Sequence, residues 1–167
     1  MIFLILFLGI IFICFAGVLL FGAPYLPTLK PQIDTLFELS NIKPGQTIIE
    51  LGCGDGRILI EAAKRGIKSV GYELNPLLVI YAKLKVRKYK GLVVIKWANF
   101  WSINWPETDY IFTFLLDRYM TKLDDKISGY KYLPVTLITF AFEIPGRETL
   151  KQKNGIFLYR YRQHLEN

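Results

Sequence analysis

The chain has 167 residues, a net charge of +7 and a hydrophobic content of 52%. Two cysteines, Cys14 and Cys53, and one histidine, His164, exclude a disulfide framework, a zinc site of Cys/His type and a histidine-based triad, so no metal centre is expected. The cationic run Lys83, Lys85, Arg87, Lys88 and Lys90 does not alternate with aromatics, which argues for a solvated helix face and against a nucleic-acid partner.

The first segment, Ile2–Gly22, has 21 residues without a charged or strongly polar side chain. As a helix with ~1.5 Å rise per residue it spans roughly 31 Å, the thickness of a bilayer core. Residues 1–22 are therefore expected to form a transmembrane anchor. No basic residue precedes the run and Pro24 stands where a leader would be cleaved, which disfavours a signal peptide. Lys30 and Lys43 follow the span, so the expected placement is single-pass, with the folded domain facing the cytoplasm.

Residues 23–46 read as a linker and an N-terminal helix. Pro24, Pro27 and Pro31 stiffen the connector, and Ile33, Leu36 and Phe37 give Gln32–Asn41 a helical apolar face. Lys43-Pro44-Gly45-Gln46 is a turn. Residues 47–167 then form one domain, long enough for a core and too short for a second.

Within it, strands are expected at Thr47–Leu51, Ser69–Glu73, Leu92–Trp97, Asp109–Leu116 and Val135–Phe142. Helices are expected at Ile58–Arg65, Pro76–Tyr89 and Arg118–Ile127, while residues 98–108 are too few for a full crossover helix. Glu148–Gln152 and Ile156–Arg162 flank Lys153-Asn154-Gly155, and Asn-Gly is a strong hairpin signal. Strands apolar on both faces and alternating with helices imply an α/β fold with a largely parallel, doubly covered sheet.

The chemistry concentrates at the first strand–helix turn, Glu50-Leu51-Gly52-Cys53-Gly54-Asp55-Gly56. In open α/β sheets ligands bind at the carboxyl ends of the strands. A dinucleotide fingerprint requires glycine at the sixth position, but Arg57 stands there, which disfavours a nucleotide-dependent oxidoreductase. The G-x-G-x-G spacing behind an acid fits S-adenosyl-L-methionine, a cofactor with an ammonium and a sulfonium and no pyrophosphate. Glu50, Gly52, Gly54, Asp55 and Gly56 are thus candidate cofactor residues. Glu73 follows 23 residues after Glu50, near the ~20-residue offset of a ribose-binding carboxylate. Asn99 can meet the adenine amino group and Phe100 its ring; a loop turn and a core aromatic are the competing readings.

Taken together, Tyr25-Leu26-Pro27-Thr28, Glu50–Ile58, Gly71-Tyr72-Glu73-Leu74-Asn75-Pro76, Phe100-Trp101 and Phe142–Pro145 resemble the membrane-associated protein-lysine methyltransferases. In mitochondria these modify a subunit of ATP synthase and the adenine nucleotide translocase, and they have small prokaryotic relatives. The likeness runs from about Tyr25 to Pro145. It implies a class I, Rossmann-like, seven-strand-type methyltransferase sheet with a C-terminal β-hairpin behind an N-terminal transmembrane helix. It further implies S-adenosyl-L-methionine as cofactor and, as partner, a protein with an accessible lysine near the membrane. Tyr25 and Thr28 become cofactor-site candidates through it. The family commonly has aspartate where Asn99 stands, and Leu115–Tyr119, Ala141 and Glu143 depart from its pattern on the substrate side.

A lysine acceptor must arrive neutral to attack a methyl group. Asp117, after the fourth strand, and Glu143, after the fifth, are the candidate bases, with helix N-capping the competing role for Asp117. Tyr25, Trp101, Phe114 and Tyr119 can line an acceptor channel, a core role being the default for Phe114. The competing functions are methylation of a small lipid-soluble molecule and a catalytically silent cofactor-binding module.

Overall fold

The computed structural model describes residues 1–6, 8–9 and 25–163. Most of the predicted anchor (residue 7 and residues 10–22), with Cys14, and His164 at the other end lie outside the described residues. Among the described residues no helix is long and apolar enough to cross a membrane. The expectation of a single-pass membrane protein facing the cytoplasm is corrected accordingly, and the transmembrane helix drops out of the fold class.

The remaining residues form the expected α/β fold. Five parallel strands, β1 (Thr47–Leu51), β2 (Lys68–Glu73), β3 (Val93–Trp97), β4 (Tyr110–Thr113) and β5 (Val135–Phe140), continue into the antiparallel pair β6 (Lys151–Lys153) and β7 (Ile156–Tyr161). The sheet order is β3-β2-β1-β4-β5-β7-β6. β1 pairs with β2 on one side and β4 on the other, so the strand order reverses there. That switch point opens a crevice beyond the carboxyl end of β1, where the glycine loop begins.

Three helices cover one face. α1 (Lys30–Ser40) starts with proline inside its first turn and ends at Asn41 in the left-handed conformation. It packs Ile33, Leu36 and Phe37 with Ile138, Ile156 and Leu158 of β5 and β7. α2 (Arg57–Lys64) and α3 (Pro76–Val86) bury Leu59, Ala63, Val79 and Ala82 with Val93 and Ile95 of β3. On the opposite face α4 (Met120–Ser128) sets Leu123 and Ile127 into a cluster with Trp105, Tyr130, Leu137 and Tyr159. The short β3–β4 connection contains only a 3-10 turn, Phe100–Ser102, and Trp105, whose indole N–H donates to the Phe100 carbonyl at 3.0 Å. One large side chain anchored to its own loop stands where a crossover helix would otherwise pack.

Several boundaries shift for local reasons. β5 stops at Phe140 because Ala141 takes φ 70° and turns the chain out of the sheet. Arg87–Tyr89 and Asp117–Tyr119 are 3-10 turns, not continuations of α3 and α4. The hairpin closes through Asn154 at φ 51° and Gly155 at φ 76°, the left-handed pair that a type I′ turn needs.

Gly71, opposite Glu50 in the β1–β2 register, is a packing constraint. A Cβ there would lie 2.5 Å from Leu59 Cδ1, 2.7 Å from Cys53 Sγ and 2.8 Å from Cys53 Cβ. The leucine end can rotate, but the Cys53 Cβ is fixed to the glycine loop. Gly71→Ala is expected to lower stability by about 1–3 kcal/mol through overpacking, read from the urea midpoint at unchanged m-value. An unchanged midpoint would show that the loop yields freely.

Candidate functional site

The site is built outward from the end of β1. Glu50 lies between Gly71 of β2 and Phe112 of β4 and is only 4% exposed. Its Oε2 has no hydrogen-bond partner. Burial pushes its carboxyl well above the usual range, and the negative charges of Asp55 and Glu73 push it further.

The glycine loop then folds back on β2. Gly52 and Cys53 both donate their N–H to the Tyr72 carbonyl at 2.9 Å, and Gly56 donates to the Cys53 carbonyl at 2.8 Å. Gly54, at φ 51°, donates its N–H to Glu73 Oε2 at 2.9 Å. A Cβ on Gly54 would lie 2.6 Å from Tyr25 Cε2, so only glycine allows Tyr25 to lie this close to the loop.

Glu73 ends β2 with both oxygens already in use. Oε1 accepts from the backbone N–H groups of Leu74 and Asn75, each at 2.8 Å, and Oε2 accepts from Gly54. A carboxylate offers about four acceptor positions, so one remains on Oε2. Asn75, buried beside it, caps α3 by accepting from Leu77 and Leu78, and its Nδ2 has no partner.

Asp55 is arranged differently. Its carboxylate pairs with Arg57, Nε to Oδ1 at 2.9 Å and Nη2 to Oδ2 at 3.1 Å, and with Lys85 Nζ at 2.7 Å. Burial alone would raise its pKa, but the hydrogen bonds and charges of Arg57 and Lys85 outweigh this and hold it below the usual range. Its position fixes the loop while its charge is met internally. The cationic run suggests a solvated helix face for Lys85; its tip turns inward to Asp55 instead.

Beyond β3, the Asn99 Oδ1 accepts from the Trp101 N–H at 3.0 Å and caps the 3-10 turn. Phe100 is half-buried against the aromatic cluster, its ring 4.8 Å from Trp101. Trp101 in turn lies 6.0 Å from Tyr119, with Lys122 Nζ over its ring at 4.6 Å. Phe114 meets Phe140 at 4.6 Å in the core, its default reading.

Tyr25 and Thr28 reach the loop, with Thr28 only 6% exposed. Asp117 and Glu143 are exposed on the turns after β4 and β5. No hydrogen bond joins either to the acidic cluster among the described residues, and the helix cap considered for Asp117 does not form. The structure thus brings Tyr25, Thr28, Glu50, Gly52–Gly56 and Glu73 together, sets Asn99 and Phe100 at the next strand end, and leaves Asp117 and Glu143 at the rim. Arg57, Lys85 and Asn75 are the participants that sequence reasoning passed over. Arg57 carried a signal, since a cation two residues after a buried acid invites pairing, and Asn75 carried one as the cap position ahead of Pro76; Lys85 carried none.

The sheet order, the reversed last strand and an acid-led glycine loop at the switch point define a class I, S-adenosyl-L-methionine-dependent methyltransferase domain. Residues 50–151 match the ANTKMT methyltransferase domain family, and the chain belongs to that family. It is 30% identical to the human ATP synthase C-subunit lysine N-methyltransferase over 124 residues, covering 73% of this chain and 53% of that protein. Over 153 residues it is 29% identical to a protein-lysine N-methyltransferase of Saccharolobus islandicus, covering 84% of this chain and 95% of that one. The chain therefore spans about half the length of its animal relatives and nearly all of the archaeal one. Among solved structures, an RNA methyltransferase from Salinibacter ruber in complex with S-adenosyl-L-homocysteine superimposes with a TM-score of 0.74 at 25% identity, over 82% of this chain and 93% of that one.

The raised Glu50 carboxyl sets a pH dependence. The folded protein binds this proton more tightly than the unfolded chain does. Its stabilisation is therefore complete below the ordinary glutamate range and is lost as pH rises through the raised folded value. Glu50→Gln is expected to flatten this decline and to raise the ligand-free melting temperature at neutral pH. Parallel stability–pH curves for wild type and variant would contradict the assignment.

Proposed function

We propose that the chain transfers a methyl group from S-adenosyl-L-methionine to a lysine side chain of a protein. The buried, unpartnered Oε2 of Glu50 at the switch point carries the cofactor part of this reading, because a buried carboxylate without a cation calls for one. The two lysine-methylating relatives, one of nearly this chain's length, support the acceptor.

The residues fit the cofactor. Glu50 would take its ammonium, the free position on Glu73 Oε2 one ribose hydroxyl, and the bare backbone of Gly52, Gly54 and Gly56 its close approach. Asp55 would act by holding the loop. Asn99 retains an unused amide N–H and one acceptor position on Oδ1 toward the adenine edge, with Phe100 beside it. Tyr25 and Thr28 would cover the loop from outside. When bound, the cofactor supplies an electrophilic methyl group on a sulfonium.

The protein's own contribution is alignment, which accounts for roughly 7–11 kcal/mol at most, and delivery of a neutral amine. Asp117 and Glu143, exposed on the turns after β4 and β5, would accept the proton that the acceptor loses on the way in. Trp101 and Tyr119, 6.0 Å apart, would supply aromatic faces for the acceptor. Lys122 already covers one of those faces, so an incoming ammonium would meet a repulsive neighbour there, which favours the uncharged amine.

The test is incubation with methyl-labelled cofactor and a cell extract, followed by separate recovery of protein hydrolysate and lipid extract. Label is expected as methyl-lysine in the protein fraction, and Glu50→Ala is expected to reduce it roughly tenfold to a hundredfold, the loss of one buried charge-assisted contact. Label confined to the lipid extract would favour a small lipid-soluble acceptor. Cofactor binding without transfer would favour a silent module.

A further inference from the structure

Tyr25–Thr28 crosses the outside of the glycine loop, and very little ties it down. Among the described residues no backbone hydrogen bond joins 25–28 to the sheet. Leu26 and Leu29 are 64% and 62% exposed, and the α1 N-cap at Leu29 has no side-chain cap. Among the described residues the segment is held by the Tyr25 ring on Gly54, by the Arg57 guanidinium beside the Tyr25 hydroxyl, by the burial of Thr28, and by a hydrogen bond from Arg57 Nη1 to the Thr28 carbonyl at 3.1 Å.

The last contact is built differently from the packing contacts. Arg57 cannot swing freely, because its Nε and Nη2 are fixed on the two oxygens of Asp55. Asp55 in turn is only 7% exposed and is pinned from α3 by Lys85. The guanidinium fork thus has two prongs on the loop and one on the segment outside it, a geometry that a lysine ammonium on a flexible stem cannot reproduce.

We infer that Arg57 is a positioning residue that latches the Tyr25–Thr28 strap onto the glycine loop and so governs entry and release of the cofactor. This rests on the cofactor reading above. The latch needs no movement of the sheet: Arg57 grips the strap at both ends, and releasing it from the Thr28 carbonyl and from Tyr25 leaves only the packing of Thr28 and of the Tyr25 ring on Gly54 to be undone. Lys85 keeps Asp55 satisfied while the strap is open, so the loop holds its shape through the cycle.

The experiment compares wild type, Arg57→Gln and Arg57→Lys in two measurements. The first is chymotryptic cleavage after Tyr25 in ligand-free protein, followed by mass spectrometry. The second is the dissociation rate of S-adenosyl-L-homocysteine by stopped-flow tryptophan fluorescence. Both rates are expected to rise roughly tenfold or more in each variant, the loss of a hydrogen bond from a charged donor. Arg57→Lys, which keeps a cation beside Asp55, is expected to melt close to wild type, separating latch from fold. The KM for the cofactor should rise while that for the acceptor stays fixed. Wild-type rates in Arg57→Gln, or full restoration of both by Arg57→Lys, would overturn the latch. A wild-type protein that binds no S-adenosyl-L-homocysteine would overturn the cofactor reading instead, and the cleavage rates would still decide whether Arg57 holds the strap.

Discussion

A carboxylate buried at the end of a central strand with one oxygen unpartnered is the constraint around which this domain is arranged. Glu50, Asp55 and Glu73 lie close enough for their charges to oppose one another. Left alone, such a trio would be costly in a low-dielectric crevice. The fold meets two of the three internally: Asp55 has Arg57 and Lys85, and Glu73 has three backbone N–H groups. Of the three, Glu50 alone has a buried oxygen with no partner at all, and burial, with the charges of Asp55 and Glu73 added, raises its pKa. A cation delivered by a ligand restores the balance, which is why the site is ready for S-adenosyl-L-methionine and poorly suited to a pyrophosphate.

Much of this was legible in the sequence, and the reasons are physical. The β1 to β5 strands are apolar runs bounded by turn residues, so their existence followed from composition even where ends moved. Asn154-Gly155 announced its hairpin because few other residues accept left-handed backbone in sequence. Glu50 and Glu73 were singled out by the glycine loop and by their 23-residue separation, and the fold sets both at the carboxyl ends of adjacent strands. The competing reading of Asn99 as a turn residue describes what its side chain does, since Oδ1 caps the Phe100–Ser102 turn.

Other features depend on three-dimensional pairings that no local pattern encodes. Lys85 looks like its neighbours in a cationic run, yet helical phase turns it toward Asp55, 30 residues earlier. The end of β5 is set by the backbone of Ala141, a residue whose type gives no warning of a positive φ. The apolar run of residues 2–22, most of which lie outside the described residues, is read by a rule of length alone. It satisfies that rule for a bilayer crossing, yet among the described residues no helix meets it.

The most direct measurement of the central claim is the proton balance of cofactor binding. Isothermal titration of S-adenosyl-L-methionine in two buffers of different ionisation enthalpy reads the protons exchanged. Below the raised titration range of Glu50, where its carboxyl holds its proton, binding a cation beside it should expel that proton, and Glu50→Gln should abolish the effect. Tight binding by the wild type with no proton release at any pH would contradict the claim that Glu50 is the carboxylate kept free for the ligand.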